Sequence, residues 1–175
     1  VWSAVFHEGP LIGHRDPGWL LRLRRTDSAP AFGNCSLDDN PGIGLGWDPR
    51  GQMNAYLCAE PRTQVDSRDK WEMTVYLTRG DRRGRGAAPR DTCTVDVTPR
   101  RCRQFKAEPG EKFTWTNLQF PPPPEKKGKD AQAGKQPAPK AIQTGTAVAD
   151  EHGLVTVEGV IVTKDRNRLI VERAK

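Results

Sequence analysis

A chain of 175 residues with 35% hydrophobic content is the size of one ordinary domain with a modest core. No apolar run reaches the ~20 residues that a membrane-spanning helix needs, so no such span is expected. The formal net charge of +6 raises the question of a nucleic-acid partner, but half of it lies in one segment, 121–141, where five lysines face Glu125 and Asp130. Lys126, Lys127, Lys129, Lys135 and Lys140 share one Pro/Lys-rich stretch. The arginines fall in three short groups: Arg22, Arg24 and Arg25; Arg79, Arg82, Arg83 and Arg85; Arg100, Arg101 and Arg103. They read as a solvated surface, with nucleic-acid binding as an alternative that requires the groups to share one face.

Seventeen glycines and fifteen prolines suit many short strands joined by turns. The chain opens Val-Trp, with no initiator Met and no leader, which reads as a processed form or a piece of a longer protein. Residues 2–6, WSAVF, alternate Trp2, Ala4 and Phe6 on one side and predict a short strand. A turn-rich loop follows, carrying His7, Glu8, His14, Arg15 and Asp16. Residues 19–25, WLLRLRR, alternate again after Pro17-Gly18 and predict a second strand.

Residues 26–52 lack a regular pattern and string together Asn-Pro, Pro-Gly and Asp-Pro turn signals. A loop of that length in a compact domain needs a tie, and Cys35 is placed to supply it. Strands resume at 53–59 and at 71–77, where Trp71, Met73, Val75 and Leu77 face one way and Glu72, Thr74 and Tyr76 the other. The stretch 91–118 contributes Thr94–Thr98 and Phe113–Thr116, with a turn expected at Thr98-Pro99-Arg100-Arg101. Residues 121–141 are rich in Pro, Lys, Ala, Gln and Gly, have almost nothing to bury, and read as a disordered insertion. The chain then returns with Val155, Val157, Val160 and Val162, Gly159 allowing a bend, and a last strand around Leu169 and Val171. Too few strands remain there for a domain of their own, so 142–175 is expected to pair back onto the main sheet. The expected fold is therefore all-β, an antiparallel β-sandwich with long loops, built as one domain over 1–175.

Four cysteines without a Cys-x-x-Cys pair argue against a zinc ribbon and for disulfides in an oxidising compartment. Cys93 and Cys102 bracket the expected turn, which predicts one bridge and leaves Cys35 with Cys58 for the other. Free buried thiols are the competing account.

Catalytic hardware is thin: no nucleophile elbow, no Gly-rich phosphate loop and no paired carboxylates on a recognisable scaffold are present. His7, His14 and Asp16 are the candidates for a metal or acid/base site, set against solvent-facing loop histidines. Asp38, Asp39, Asn40 and Asp48 offer oxygen ligands for Ca²⁺ in a loop whose Asp and Asn residues also begin turns. Trp19 and Trp47 are the tryptophans available to stack on a glycan. Trp2, Trp71 and Trp115 lie on the apolar phase of strands and belong to the core.

The succession SLDDNPG, GQMNAYL, WEMTVYL, CTVDVTPRRCRQF, PGEKFTWT, ADEHGLVTV and NRLIV resembles a β-rich C-terminal segment of large secreted bacterial proteins of α/β-hydrolase type. That resemblance implies an accessory β-sandwich, of fibronectin type III or immunoglobulin-like kind, following a catalytic domain. Residues 1–18 would then be the tail of that upstream domain, with WSAVF and His7 similar in outline to the end of a hydrolase sheet. The expected function is a non-catalytic, extracytoplasmic module that packs on the catalytic domain or binds polysaccharide. The alternatives are a hydrolase or metal-dependent activity through the His7/His14 loop and nucleic-acid binding through the arginines. No cofactor is expected apart from a possible Ca²⁺.

Overall fold

A computed structural model describes residues 27–38, 54–80, 86–121 and 138–174. The expected strands at 2–6 and 19–25 lie outside them. The described residues contain eight strands and no helix: β1 (Ala29–Gly33), β2 (Leu57–Asp66), β3 (Lys70–Leu77), β4 (Thr92–Arg100), β5 (Lys112–Gln119), β6 (Lys140–Val148), β7 (Val157–Thr163) and β8 (Asn167–Arg173). They form two antiparallel sheets, β1-β4-β7 and β2-β3-β8-β5-β6. The fold is all-β and sandwich-like.

The period-two alternation sets the core. Trp71, Met73, Val75 and Leu77 of β3 are fully buried, and they meet Leu169 and Val171 of β8, Phe113 of β5, and Val95, Val97, Val157, Val160 and Val162 of the smaller sheet. Burying side chains of this size is worth about 1.5–3 kcal/mol each, so this layer dominates the favourable side of folding. The Trp71 indole N–H would be orphaned there, but it donates to Ser28 Oγ at 2.9 Å. On the opposite face of β3, Arg168 lies over the sheet, reaching Thr74 Oγ1 at 3.3 Å and Glu72 Oε1 at 3.4 Å while stacked 5.5 Å from the Phe120 ring centre. The stem of Arg168 therefore shields a face that alternation alone would leave to water.

Residues 142–174 do return to the sheets, with β6 beside β5, β7 beside β4, and β8 between β3 and β5. The bend expected at Gly159 is a β-bulge: the β4–β7 register slips between Val95 and Val97, and Gly159 has φ +63°. Its N–H leaves the ladder and donates to Asp96 Oδ1 at 2.8 Å.

Strand β7 is an edge of its sheet, and amide side chains from the other sheet occupy that edge. Gln143 accepts from Ile161 N–H at 2.7 Å and donates to the Gly159 carbonyl at 3.1 Å. Asn117 Nδ2 donates to Ile161 O at 2.8 Å and to Gln143 Oε1 at 2.9 Å. Asn167 Oδ1 then accepts from both the N–H and the hydroxyl of Thr163, each at 2.8 Å. Backbone groups that would invite a foreign strand are thereby satisfied within the molecule, and the two sheets are joined along a polar seam.

The stretch 91–118 is not the hairpin expected from its turn signals. Thr98, Pro99 and Arg100 continue β4, paired with Ala31, Pro30 and Ala29. The β7 partner reaches only to Val97, so Pro99 sits where β4 has a neighbour on one side and costs no ladder bond there. Strands β4 and β5 belong to different sheets, and residues 101–111 cross between them. Phe105 of that crossing is buried against Phe113, ring centres 5.3 Å apart.

This geometry also corrects the expected cysteine pairing. Cys93 lies near the start of β4 and Cys102 beyond its far end, roughly 20 Å away at ~3.3 Å per strand residue, whereas a disulfide spans Cα separations up to about 7 Å. No disulfide joins the four cysteines. Cys58 stands on β2 opposite Tyr76 in the larger sheet, while Cys35 and Cys93 are both buried.

Candidate functional site

One end of the larger sheet is organised by Arg173, the last residue of β8. Its guanidinium donates to the backbone carbonyls of Arg68 and Lys106 and to the Glu111 carboxylate, and stacks 5.6 Å from the Phe113 ring centre. The β2–β3 turn, the 101–111 crossing and the start of β5 are thus fixed to one strand by a single planar fork.

Asp66 supplies a second anchor at the end of β2. Its Oδ2 accepts from Arg103 N–H at 2.6 Å, and its Oδ1 from Gln104 N–H at 3.2 Å and Phe105 N–H at 2.8 Å. Three successive backbone donors wrapped on one carboxylate make an anion nest filled by the protein's own side chain. The Glu108–Glu111 turn is closed by Glu111 Oε2 accepting from Glu108 N–H at 3.0 Å. Gly153 of the β6–β7 turn packs so closely on this crossing that a Cβ would stand 2.4 Å from Ala107 O, and its φ of +71° also requires glycine.

Between these anchored loops lies a groove of about 680 Å³, lined by Arg68, Asp69, Gln104, Lys106, Glu108, Glu111 and Arg173. Three cationic and three anionic side chains and one carboxamide face it, so it offers both donors and acceptors without a net field of either sign. Arg100, Arg101 and Arg103 are exposed. Arg79 of another expected arginine group sits elsewhere, paired with Asp165 at 2.6 Å. Within the crossing, burial and then the charge of Asp66 push the Cys102 thiol up to about 12, which keeps it protonated near neutral pH.

Most of the residues singled out from the sequence lie outside the described residues: His7, His14, Asp16, Trp19, Trp47, Asp39, Asn40 and Asp48. Asp38 is described, and its Oδ1 accepts from Asn54 N–H at 2.7 Å. Asn54 in turn donates to Phe32 O at 3.1 Å, so the residues flanking 39–53 are tied by Asp38 and Asn54 rather than by a Cys35–Cys58 bridge. His152 is exposed in the β6–β7 turn, 3.6 Å from Glu151. Among the described residues no cluster of three His, Cys, Asp or Glu side chains is placed to hold a metal.

The groove was not foreseen. Arg68, Asp69, Gln104, Lys106 and Glu108 come from turns separated by dozens of residues, and the only local signals were the Ser67–Lys70 and Pro109-Gly110 turns. No family model, curated protein or solved structure matches the chain.

Proposed function

We propose that the chain is a non-catalytic, extracytoplasmic β-sandwich module, of fibronectin type III or immunoglobulin-like kind, that binds carbohydrate or packs on the catalytic domain of a larger hydrolase. The Arg173 groove is the contact surface in this reading. The observation that carries it is the division of labour among the groove's side chains: Arg173 and Glu111 hold the loops, while Arg68, Asp69, Gln104, Lys106 and Glu108 face the concavity. Carboxylates accept from sugar hydroxyls, and guanidinium, ammonium and carboxamide groups donate to them, so a preset mixture of both suits a hydroxyl-rich ligand.

Co-sedimentation with insoluble polysaccharides, followed by calorimetry with soluble oligosaccharides, tests the proposal. Saturable binding that is lost in Arg68→Ala/Lys106→Ala, with the thermal unfolding profile unchanged, is the expected result. Binding that the double variant leaves intact would move the contact surface away from the groove. No binding to any polysaccharide would leave the carbohydrate reading without support.

A further inference from the structure

We infer that the chain pairs with a second copy of itself through the open edge of β6, antiparallel and two-fold symmetric about Gly145. Each sheet ends in two outer strands, and three of these four edges are guarded. Strand β1 is five residues long and contains Pro30. The β7 edge is occupied by Asn117 and Gln143, and β2 carries Pro61 and a register slip between Glu60 and Val65. Strand β6 has no such device over 143–148, where it pairs with β5 without interruption and contains neither a proline nor a charged side chain. Among the described residues no strand lies beyond it.

The direction of the backbone groups decides what this edge offers. Ala149 N–H donates to Glu111 O at 2.9 Å, continuing the register in which Lys112 stands opposite Val148. Hydrogen-bonded positions alternate along an antiparallel ladder, so 143, 145 and 147 bond to β5 while Thr144, Thr146 and Val148 turn their N–H and C=O groups to the open side. The sequence about Gly145 is self-complementary. A copy of β6 running the other way sets Thr144 opposite Thr146, Ile142 opposite Val148, and Lys140 opposite Asp150. The Thr144–Thr146 pair brings outward-facing backbone groups against their like, as a hydrogen-bonded pair requires. The Ile142–Val148 pair covers Val148, the one large apolar side chain exposed among the described residues, at 56%. The Lys140–Asp150 pair sets an exposed cation against an exposed anion at both ends of the joined strands. Trp115 fills the space where a side chain on Gly145 would stand, so the axis residue presents backbone alone. Each copy uses its own β6 edge, and the assembly closes at two. Such a strand pair is smaller than the ~1,200–2,000 Å² interface of a permanent complex, so the dimer is a dissociable one.

Sedimentation of the full chain across a concentration series is the test, and a monomer–dimer equilibrium that closes at twice the chain mass is the expected result. Thr146→Pro removes a donor on the open side and spares the bonds to β5, so it should weaken the dimer at least ~10-fold. Thr144→Lys/Thr146→Lys keeps every backbone donor and sets like charges opposite one another; it should weaken the dimer comparably while thermal unfolding of the monomer stays unchanged. Lys140→Glu sets two carboxylates opposite each other and should weaken the dimer a few-fold, and Lys140→Glu/Asp150→Lys should restore it. A chain that stays monomeric at every concentration, an assembly that grows past two copies, or a dimer that Thr144→Lys/Thr146→Lys leaves intact would overturn the assignment.

Discussion

Asn167 and Arg173 stand at the two ends of β8, about 20 Å apart, and organise their surroundings by opposite means. At the Asn167 end, buried Asn117, Asn167 and Thr163 and half-buried Gln143 turn on one another and on the edge of β7, and satisfy groups that would otherwise be stranded between the sheets. At the Arg173 end, polar side chains are numerous and partly exposed, and water can replace those that only line the groove. The difference shows where polar residues act on stability and where they are available for recognition. A buried network is intolerant because removing one member leaves its partners unsatisfied, whereas a solvated groove can lose a member with little structural consequence.

Removing Asn117 should break this contrast most severely. Asn117→Ala takes away two donated bonds in the seam and should lower unfolding free energy by about 2–4 kcal/mol in urea titration. Asn167→Ala should cost about 2 kcal/mol. Because the two amides share a network, the double variant should depart from additivity by at least ~0.5 kcal/mol.

At the other end, Arg173→Ala should cost about 1–2 kcal/mol, since its bonds to the β2–β3 turn and the 101–111 crossing are partly wet. Arg68→Ala and Lys106→Ala should stay within about 0.5 kcal/mol of the wild type while weakening ligand binding. A comparable loss of stability from Lys106→Ala and Asn117→Ala would erase the distinction between the two ends.

The smallest effect belongs to Asp150, which accepts from the backbone N–H groups of Leu154 and His152 at 2.8 and 2.9 Å. The Leu154 bond above all holds its carboxyl below the ordinary value of 3.8. A folded-state pKa below the unfolded one stabilises above that ordinary value, and the contribution is lost as pH falls below it through the folded pKa. Asp150→Asn should therefore lower stability slightly near neutral pH, leave it unchanged below the folded-state pKa, and so flatten the acid limb of a stability–pH curve.

The faces of strands were legible in the sequence, whereas their neighbours were not. Trp71, Met73, Val75 and Leu77 declared a buried face through strict alternation, and Gly159 announced its bulge. Alternation carries no information about which strand lies alongside, so the turn signals around Pro99 suggested a hairpin where β4 runs straight on. Strand β1, with Pro30 inside a five-residue segment, is too short and irregular to display a period. The seam left one readable trace: Asn117 occupies the same inward phase as Phe113 and Trp115, and a polar residue there implies a buried partner. The groove depends on long-range register and had no local signature.

The position of β8 also bears on how the chain is made. It is the last of the described strands in sequence, yet it occupies the middle of the five-stranded sheet. While residues 167–173 are still inside the ribosome, the β2–β3 and β5–β6 hairpins can form only as separate halves, each with a bare edge facing the gap. Those edges are open to pairing with another nascent chain until β8 arrives and fills the space between them.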